Sequence, residues 1–542
     1  MAGGRTIRTC DRLLLIALAL GSATPAWADR GSDDLAAYAR ARAADGDGRV
    51  EQAAAGYAAA LTSAPGNLDI ARRAYREALE AGDDALADRA IVTLDAARAA
   101  PPDALLFSYA RALRAGDTAA AAKILARIGG GPFDFVANLL GAWSALDAGG
   151  DPVAKLSAAR ADPVARRYAA ENRALLLIAT GRIAEGVIAL QALLGADRAS
   201  LDLRLNAAQL LAGKGRADIA VALLTGNDAT VVALRRTIGE GVPPSSAFGV
   251  SRLFERLAAD LSDGDPSPIV TALLRASLRL DPANDRARIR LAQALARGGA
   301  SERALAVLGD VQPASPFHES ALQARVAVLS GAGEASGALA AATMLSDRQD
   351  ATSADAARVG DLLITAGRFD EAGRAYRLAI KRAGGDPPWT LYLQLGSALD
   401  QAGRWPEARK ALERAVALGP EEPVALNYLG YARLEHGEDV ATSIALLEKA
   451  NALQPGDASI IDSLAWAYFR RGDAQRAMPM LELAARGQPA NATIAEHLGD
   501  VYWSIGRRYE ARYAWRAAAI VADTADGTRL AAKIANGLRG TP

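Results

Sequence analysis

Residues 392–420 read YLQLGSALDQAGRWPEARKALERAVALGP, and three positions in that stretch decide the fold. Gly403 can take the left-handed backbone conformation that ends one helix and opens a tight turn. Ala408, five residues on, falls early in the next helix. A methyl group there lets two antiparallel helices approach closely, where a larger side chain would hold the axes apart. Pro420, seventeen residues after Gly403, marks the end of that second helix, because proline cannot supply the donor that would continue it. The stretch predicts a helix–turn–helix unit.

The same punctuation recurs outward in both directions. Glycines stand at 48, 82, 116, 150, 181, 215, 264, 299, 333, 367, 403, 437, 472 and 506, most of them 34 or 35 residues apart. Five residues beyond these glycines, ten of fourteen positions are alanine, against about three expected from an alanine content of 24%. Pro65, Pro316, Pro420 and Pro489 each follow their glycine by seventeen residues. A single helical hairpin cannot bury its apolar faces, whereas stacked hairpins make a continuous core. The expectation is an all-α solenoid of about fourteen hairpins, with the 129 alanines marking close helix contacts.

The hairpins resemble the tetratricopeptide repeat. Tyr392, Leu395, Gly396 and Leu399 precede Ala408, Leu412, Ala415 and Pro420 at the family's spacing. Leu464, Ala465 and Tyr468 precede Ala477, Leu481, Ala484 and Pro489 in the same way, and Leu498, Gly499 and Tyr502 precede Ala511, Trp515 and Ala518. Ala53, Tyr57, Ala60 and Pro65 fit near the N-terminus. The resemblance implies a right-handed superhelix. One interval breaks the period: 49 residues separate Gly215 from Gly264 and include GEGVPPSS at 239–246, which cannot continue a helix. We place a loop or hinge at 227–248, between a degenerate array at 29–226 and a second array at 249–522, with a capping helix and tail at 523–542. An ordinary surface insertion at 227–248 is the competing reading.

At the N-terminus Arg5, Arg8 and Arg12 precede the apolar run of residues 13–20 and the small-residue site Ala26-Trp27-Ala28. This order reads as a cleaved secretory signal peptide over 1–28 and predicts a periplasmic protein. Eight apolar residues are too few for a membrane span, which needs about 20. The one cysteine, Cys10, lies before the apolar run rather than at a lipoprotein cleavage point, so the mature chain would be cysteine-free, without disulfides. No later stretch is apolar enough to span a membrane.

Sixty-two basic and 62 acidic residues leave no net charge, which argues against a nucleic-acid partner. No HExxH, GxxxxGK[ST] or GxSxG stretch is present, and the glycines at 331–337 sit on the repeat ladder with no strand before them. Of three histidines, His436 reads as a solvated turn residue, His497 as helical surface and His318 as a helix boundary. We expect no cofactor, no metal and no catalysis.

A binding face is the better candidate. In the family that the repeats resemble, the first helix of each hairpin lines the concave surface. Carried over, one row holds Asn427, Asp462 and Glu496, the next Tyr431, Trp466 and Asp500, and a third Glu435 and Arg470. Aromatic area beside polar groups is the composition of peptide-binding hot spots. Family members that clamp an acidic C-terminus use basic residues here, whereas Asp462, Glu496 and Asp500 would repel a carboxylate, so a basic or neutral extended segment fits. Tyr468, Tyr502, Trp503 and Trp515 are expected to fill the core between helices.

The stretches at 425–431, 461–466 and 496–503 resemble a proteobacterial family of exported tetratricopeptide proteins, related to envelope adaptor lipoproteins. That likeness implies a scaffold or adaptor holding a protein or peptide partner, with an envelope protease or assembly component as examples. The alternative is a structural part of a cell-wall, outer-membrane or polysaccharide export assembly. The sequence leaves the oligomeric state open.

Overall fold

A computed structural model describes residues 26–156, 163–194, 201–226, 228–239, 241–262, 267–385 and 387–538. Among these residues the chain is all helix and turn, an α-solenoid of helical hairpins with no strand. Most of the signal-peptide reading, residues 1–25, lies outside the described residues.

The glycine ladder is the turn ladder. Twelve of the fourteen glycines have positive φ, Gly403 at 73° among them. After the turn, the next N–H donates to a carbonyl five residues back, as Arg404 does to Leu399 at 2.8 Å and Arg507 to Tyr502 at 2.9 Å. This backward bond satisfies a carbonyl that the helix end leaves open. Gly150 is displaced by one residue: Gly149 carries the positive φ of 70°, and the N–H of Gly150 makes the backward bond, to Ala145. Gly264 lies outside the described residues.

All ten ladder alanines are buried, nine of them completely. A second set of small residues lets the two helices of a hairpin interlock. A Cβ on Gly396 would stand 2.5 Å from the Leu412 side chain, one on Gly430 2.8 Å from Leu447 and one on Gly499 2.4 Å from the Trp515 ring. The large side chain of the second helix thus fills the space opened by glycine in the first.

The chain forms two compact units, Met1–Ala324 and Arg325–Pro542. In the second, the first helices are Ser353–Thr365, Trp389–Gln401, Pro423–Glu435, Ala458–Arg470 and Ala492–Ser504. Their partners are Phe369–Ala383, Trp405–Leu418, Val440–Leu453, Ala474–Gly487 and Arg508–Val521, and Thr524–Asn536 closes the stack. Large buried side chains recur along it at Tyr376, Leu412, Leu447, Tyr468, Leu481 and Trp515, the last four in one cluster.

The first unit differs from the expected layout. Within 227–248 lie a helix, Ala229–Thr237, positive φ at Gly239 and Gly241, and the start of Ser246–Asp260, but the units do not part there. Instead, Ser246–Asp260 and Pro268–Leu280 fold back over the first helices of the preceding hairpins, and Asp285–Arg297 reaches Asp202 through Arg286 and Arg290. Arginines fasten them. Arg275 donates at 2.6 Å to the carbonyls of Leu79 and Glu80, at the C-terminal end of Leu68–Ala81. Arg279 meets Asp88 at 2.9 Å and Asp84 at 3.2 Å and covers the Phe107 ring. Arg290 joins Asp202 and Glu255, each at 2.8 Å, and Tyr168 donates to Asp260 at 2.6 Å. Gly249 lies so close to the Trp143 ring that a Cβ would overlap it.

Candidate functional site

Adjacent first helices in the second unit are tied by side chains roughly one repeat apart. Gln394 donates to Asp361 at 3.2 Å, Tyr428 to Ser397 at 3.1 Å and Trp466 Nε1 to Glu435 at 2.8 Å. His436 Nε2 lies 2.6 Å from Asp400, and His497 Nδ1 lies 3.0 Å from Asp462. Because the repeat returns each residue to the same helical face, a polar group meets its counterpart on the next helix.

Four of the eight expected binding residues, Glu435, Asp462, Trp466 and Arg470, make ties of this row, and Tyr431 and Asn427 stand on the same first helix as Glu435. Trp466 is the centre. Its ring stacks on His497 at 3.9 Å and 10°, touches Phe469 and lies beneath the Arg470 guanidinium at 5.9 Å. Arg470 also reaches Glu435 at 3.6 Å. Asp462 is buried and holds His497 from the other side. Tyr431, half-buried, lies 6.3 Å from His497 with no hydrogen bond to its hydroxyl among the described residues. Burial raises its pKa, helped by the charges of Glu435 and Asp462. Asn427, one turn earlier on the same helix, carries a buried Oδ1 with no partner.

The other two are covered. Glu496 and Asp500 are buried against Thr524–Asn536, where Lys533 reaches them at 2.6 Å each and Arg529 pairs with Glu496. Asp500 also accepts the Trp515 indole N–H at 2.8 Å. Burial lowers the Lys533 pKa, and Asp500 opposes that shift. The closing helix therefore takes the place that a further first helix would fill.

Two histidines depart from their sequence reading. His497 is buried, because Asp462 supplies the hydrogen bond and Trp466 the flat face that make its burial tolerable. His436 lies at the turn as expected but stacks on Trp405 at 4.2 Å and 11°. For His497 the available signal was its separation from Asp462, 35 residues or about one repeat. Tyr468, Tyr502 and Trp515 are buried in the core, and Trp503 is partly exposed beside Trp515 and Gly537.

Among the described residues no serine, threonine or cysteine is bonded to His497, and no group of three or more His, Cys, Asp or Glu could hold a metal ion. The arrangement offers hydrogen bonds and an aromatic surface. No helix among the described residues is long and apolar enough to cross a membrane.

Fold and row together define a helical-hairpin repeat protein whose adjacent first helices are joined by polar and aromatic side chains. The tetratricopeptide repeat family matches residues 271–319 and 393–458. A TPR repeat-containing protein of Pseudomonas aeruginosa is 32% identical over 94 residues, 17% of this chain and 16% of that protein. The chain thus spans about a sixth of that relative's length. Among solved structures, a TPR protein of Thermus thermophilus is 21% identical and covers 34% of this chain and 100% of its own, at a TM-score of 0.31. The C-terminal part of a TPR repeat-containing protein of Cytophaga hutchinsonii is 20% identical and covers 44% and 98%, at 0.33. MamA of Desulfovibrio magneticus is 18% identical and covers 31% and 94%, at 0.27.

Proposed function

We propose that the chain is an exported, non-catalytic interaction scaffold of the cell envelope that holds an extended segment of a partner protein along the first helices of its second unit. The observation that carries this reading is the Trp466–His497 stack with Tyr431 beside it, on a helix whose Asn427 carries a buried Oδ1 with no partner. Unpaired buried acceptors are costly unless a ligand completes them. Glu435 and Asp462 outnumber Arg470, the row's one cationic member among the expected residues, which fits a basic or neutral segment. Tetratricopeptide repeats commonly serve protein interaction, in agreement with the matched spans.

Co-purification from an envelope extract tests the reading. Trp466→Ala and Asp462→Lys should each release the captured partner; retention of every partner by both variants removes this face from consideration. Export is tested separately, by N-terminal sequencing of the mature protein from the periplasmic fraction, with Asp29 expected first.

A second reading, a structural part of an envelope assembly, is favoured by the first unit, whose first helices are covered by its own chain. On that reading outer surfaces make the contacts. Loss of assembly with peptide capture intact would distinguish it.

A further inference from the structure

The helix Arg508–Val521 buries one face and leaves the other exposed among the described residues of the second unit. Ala511, Ala514, Trp515 and Ala518 face the core. Opposite them, Tyr509 is 81% exposed, Tyr513 70% and Ile520 83%. These are three of the four most exposed large apolar side chains among the described residues, and all lie on one helix. Exposed apolar side chains are ordinary when scattered, but concentration on one stripe marks an interaction surface.

The spacing says what kind of element fits. Residues 509, 513, 516 and 520 are separated by four, three and four, the seam on which one helix packs along another. Tyrosine and arginine are the residues that dominate binding hot spots. Charge then selects the partner. Arg508, Arg512 and Arg516 run along the same side at i, i+4 and i+8, and none meets a carboxylate among the described residues. Arg508 donates to the Trp503 carbonyl and Arg512 to that of Ile534, both lie over the Trp503 ring with no carboxylate to neutralise them, and Arg516 has no polar partner among the described residues. Glu510, the one acidic residue of the helix, is paired with Arg507. A second copy of the chain would bring two such arginine rows together with no acid between them, an unfavourable contact.

We propose that this outer face docks an amphipathic helix of a partner protein whose apolar seam lies on Tyr509, Tyr513 and Ile520 and whose acidic flank lies on Arg512 and Arg516. This surface is separate from the first-helix row and does not rest on the function proposed for it.

The test uses the full mature chain and two synthetic fluorescent peptides of three heptads, both with leucine seams, one flanked by glutamate and the other by lysine. Fluorescence anisotropy should show binding of the glutamate peptide, weakened by added salt, and little binding of the lysine peptide. Arg512→Glu with Arg516→Glu should weaken the glutamate peptide at least tenfold and make the lysine peptide the better ligand. Tyr513→Ala should weaken the glutamate peptide severalfold, and Trp466→Ala should leave it unchanged. Tyr513 and Arg516 are exposed and Arg512 and Trp466 half-buried, so circular dichroism is recorded for every variant and should report the same fold throughout. Failure of the glutamate peptide to bind, equal binding of both peptides, or indifference to the charge reversal would overturn the proposal. So would concentration-dependent dimers in sedimentation that Tyr513→Ala abolishes, which would assign the face to a second copy.

Discussion

Gly499 shows how much a single hydrogen atom decides in this fold. The Trp515 ring fills the space beside it, and a Cβ at Gly499 would stand 2.4 Å from that rigid ring. Gly499→Ala should destabilise the second unit by about 1–3 kcal/mol through overpacking, read as a lower Tm, despite alanine's better helix propensity. Pairing it with Trp515→Leu should recover part of the loss if the clash is the cause. Glu77 offers a test by pH. It is buried in Leu68–Ala81, and burial, with Glu80 and Asp45 nearby, raises its pKa from 4.5 to about 7 despite Arg76 beside it. A carboxyl with a raised folded pKa binds its proton more tightly in the native state, so its contribution to stability is present below pH 4.5 and lost as the pH rises to about 7. Glu77→Gln should therefore flatten the fall in Tm over that window and leave the variant more stable than the parent above pH 7.

At the scale of elements, turns and interlocked hairpins were legible in the sequence because each depends on residues a fixed distance apart. Twelve of the glycines that mark turns do so with positive φ, and the slip from Gly150 to Gly149 arises where two glycines stand together and either can take that backbone. The fold-back of 246–297 was hidden. Its arginines meet carbonyls and carboxylates far outside the repeat period, as Arg275 does at Leu79 and Arg290 at Asp202, so no local pattern announces them. The candidate row was half visible: Tyr431, Trp466 and Asp462 follow from repeat position. His497 and the covering of Glu496 and Asp500 depend on what the adjacent helix carries. The fold-back is open to test. Burial, with Arg303 nearby, lowers the Arg275 pKa to about 10, yet its two 2.6 Å bonds cap a helix end. Arg275→Ala would leave those carbonyls unsatisfied at a cost of about 3 kcal/mol. Hydrogen exchange should then speed up across 246–297, with the amides of 389–518 unaffected.

Across the whole molecule, a repeat chain can unfold as one cooperative body or in sections, depending on how strongly successive hairpins hold each other. Here the two compact units have cores of different construction. The first closes on itself through Trp143 against Gly249 and the arginines of 246–297, contacts between residues up to about two hundred positions apart. The second rests on contacts between neighbours, from Tyr376 to Trp515. Long-range closure ties distant hairpins into one all-or-none step, whereas nearest-neighbour stacking lets a section melt alone. Scanning calorimetry of the mature chain should therefore resolve two transitions. Arg275→Ala should lower one, Gly499→Ala the other, and the double variant should show the two shifts side by side without interaction. One transition that both substitutions lower would mean that stacking carries cooperativity past residue 325. The division at Ala324 would then be one of contact density, with no energetic boundary there.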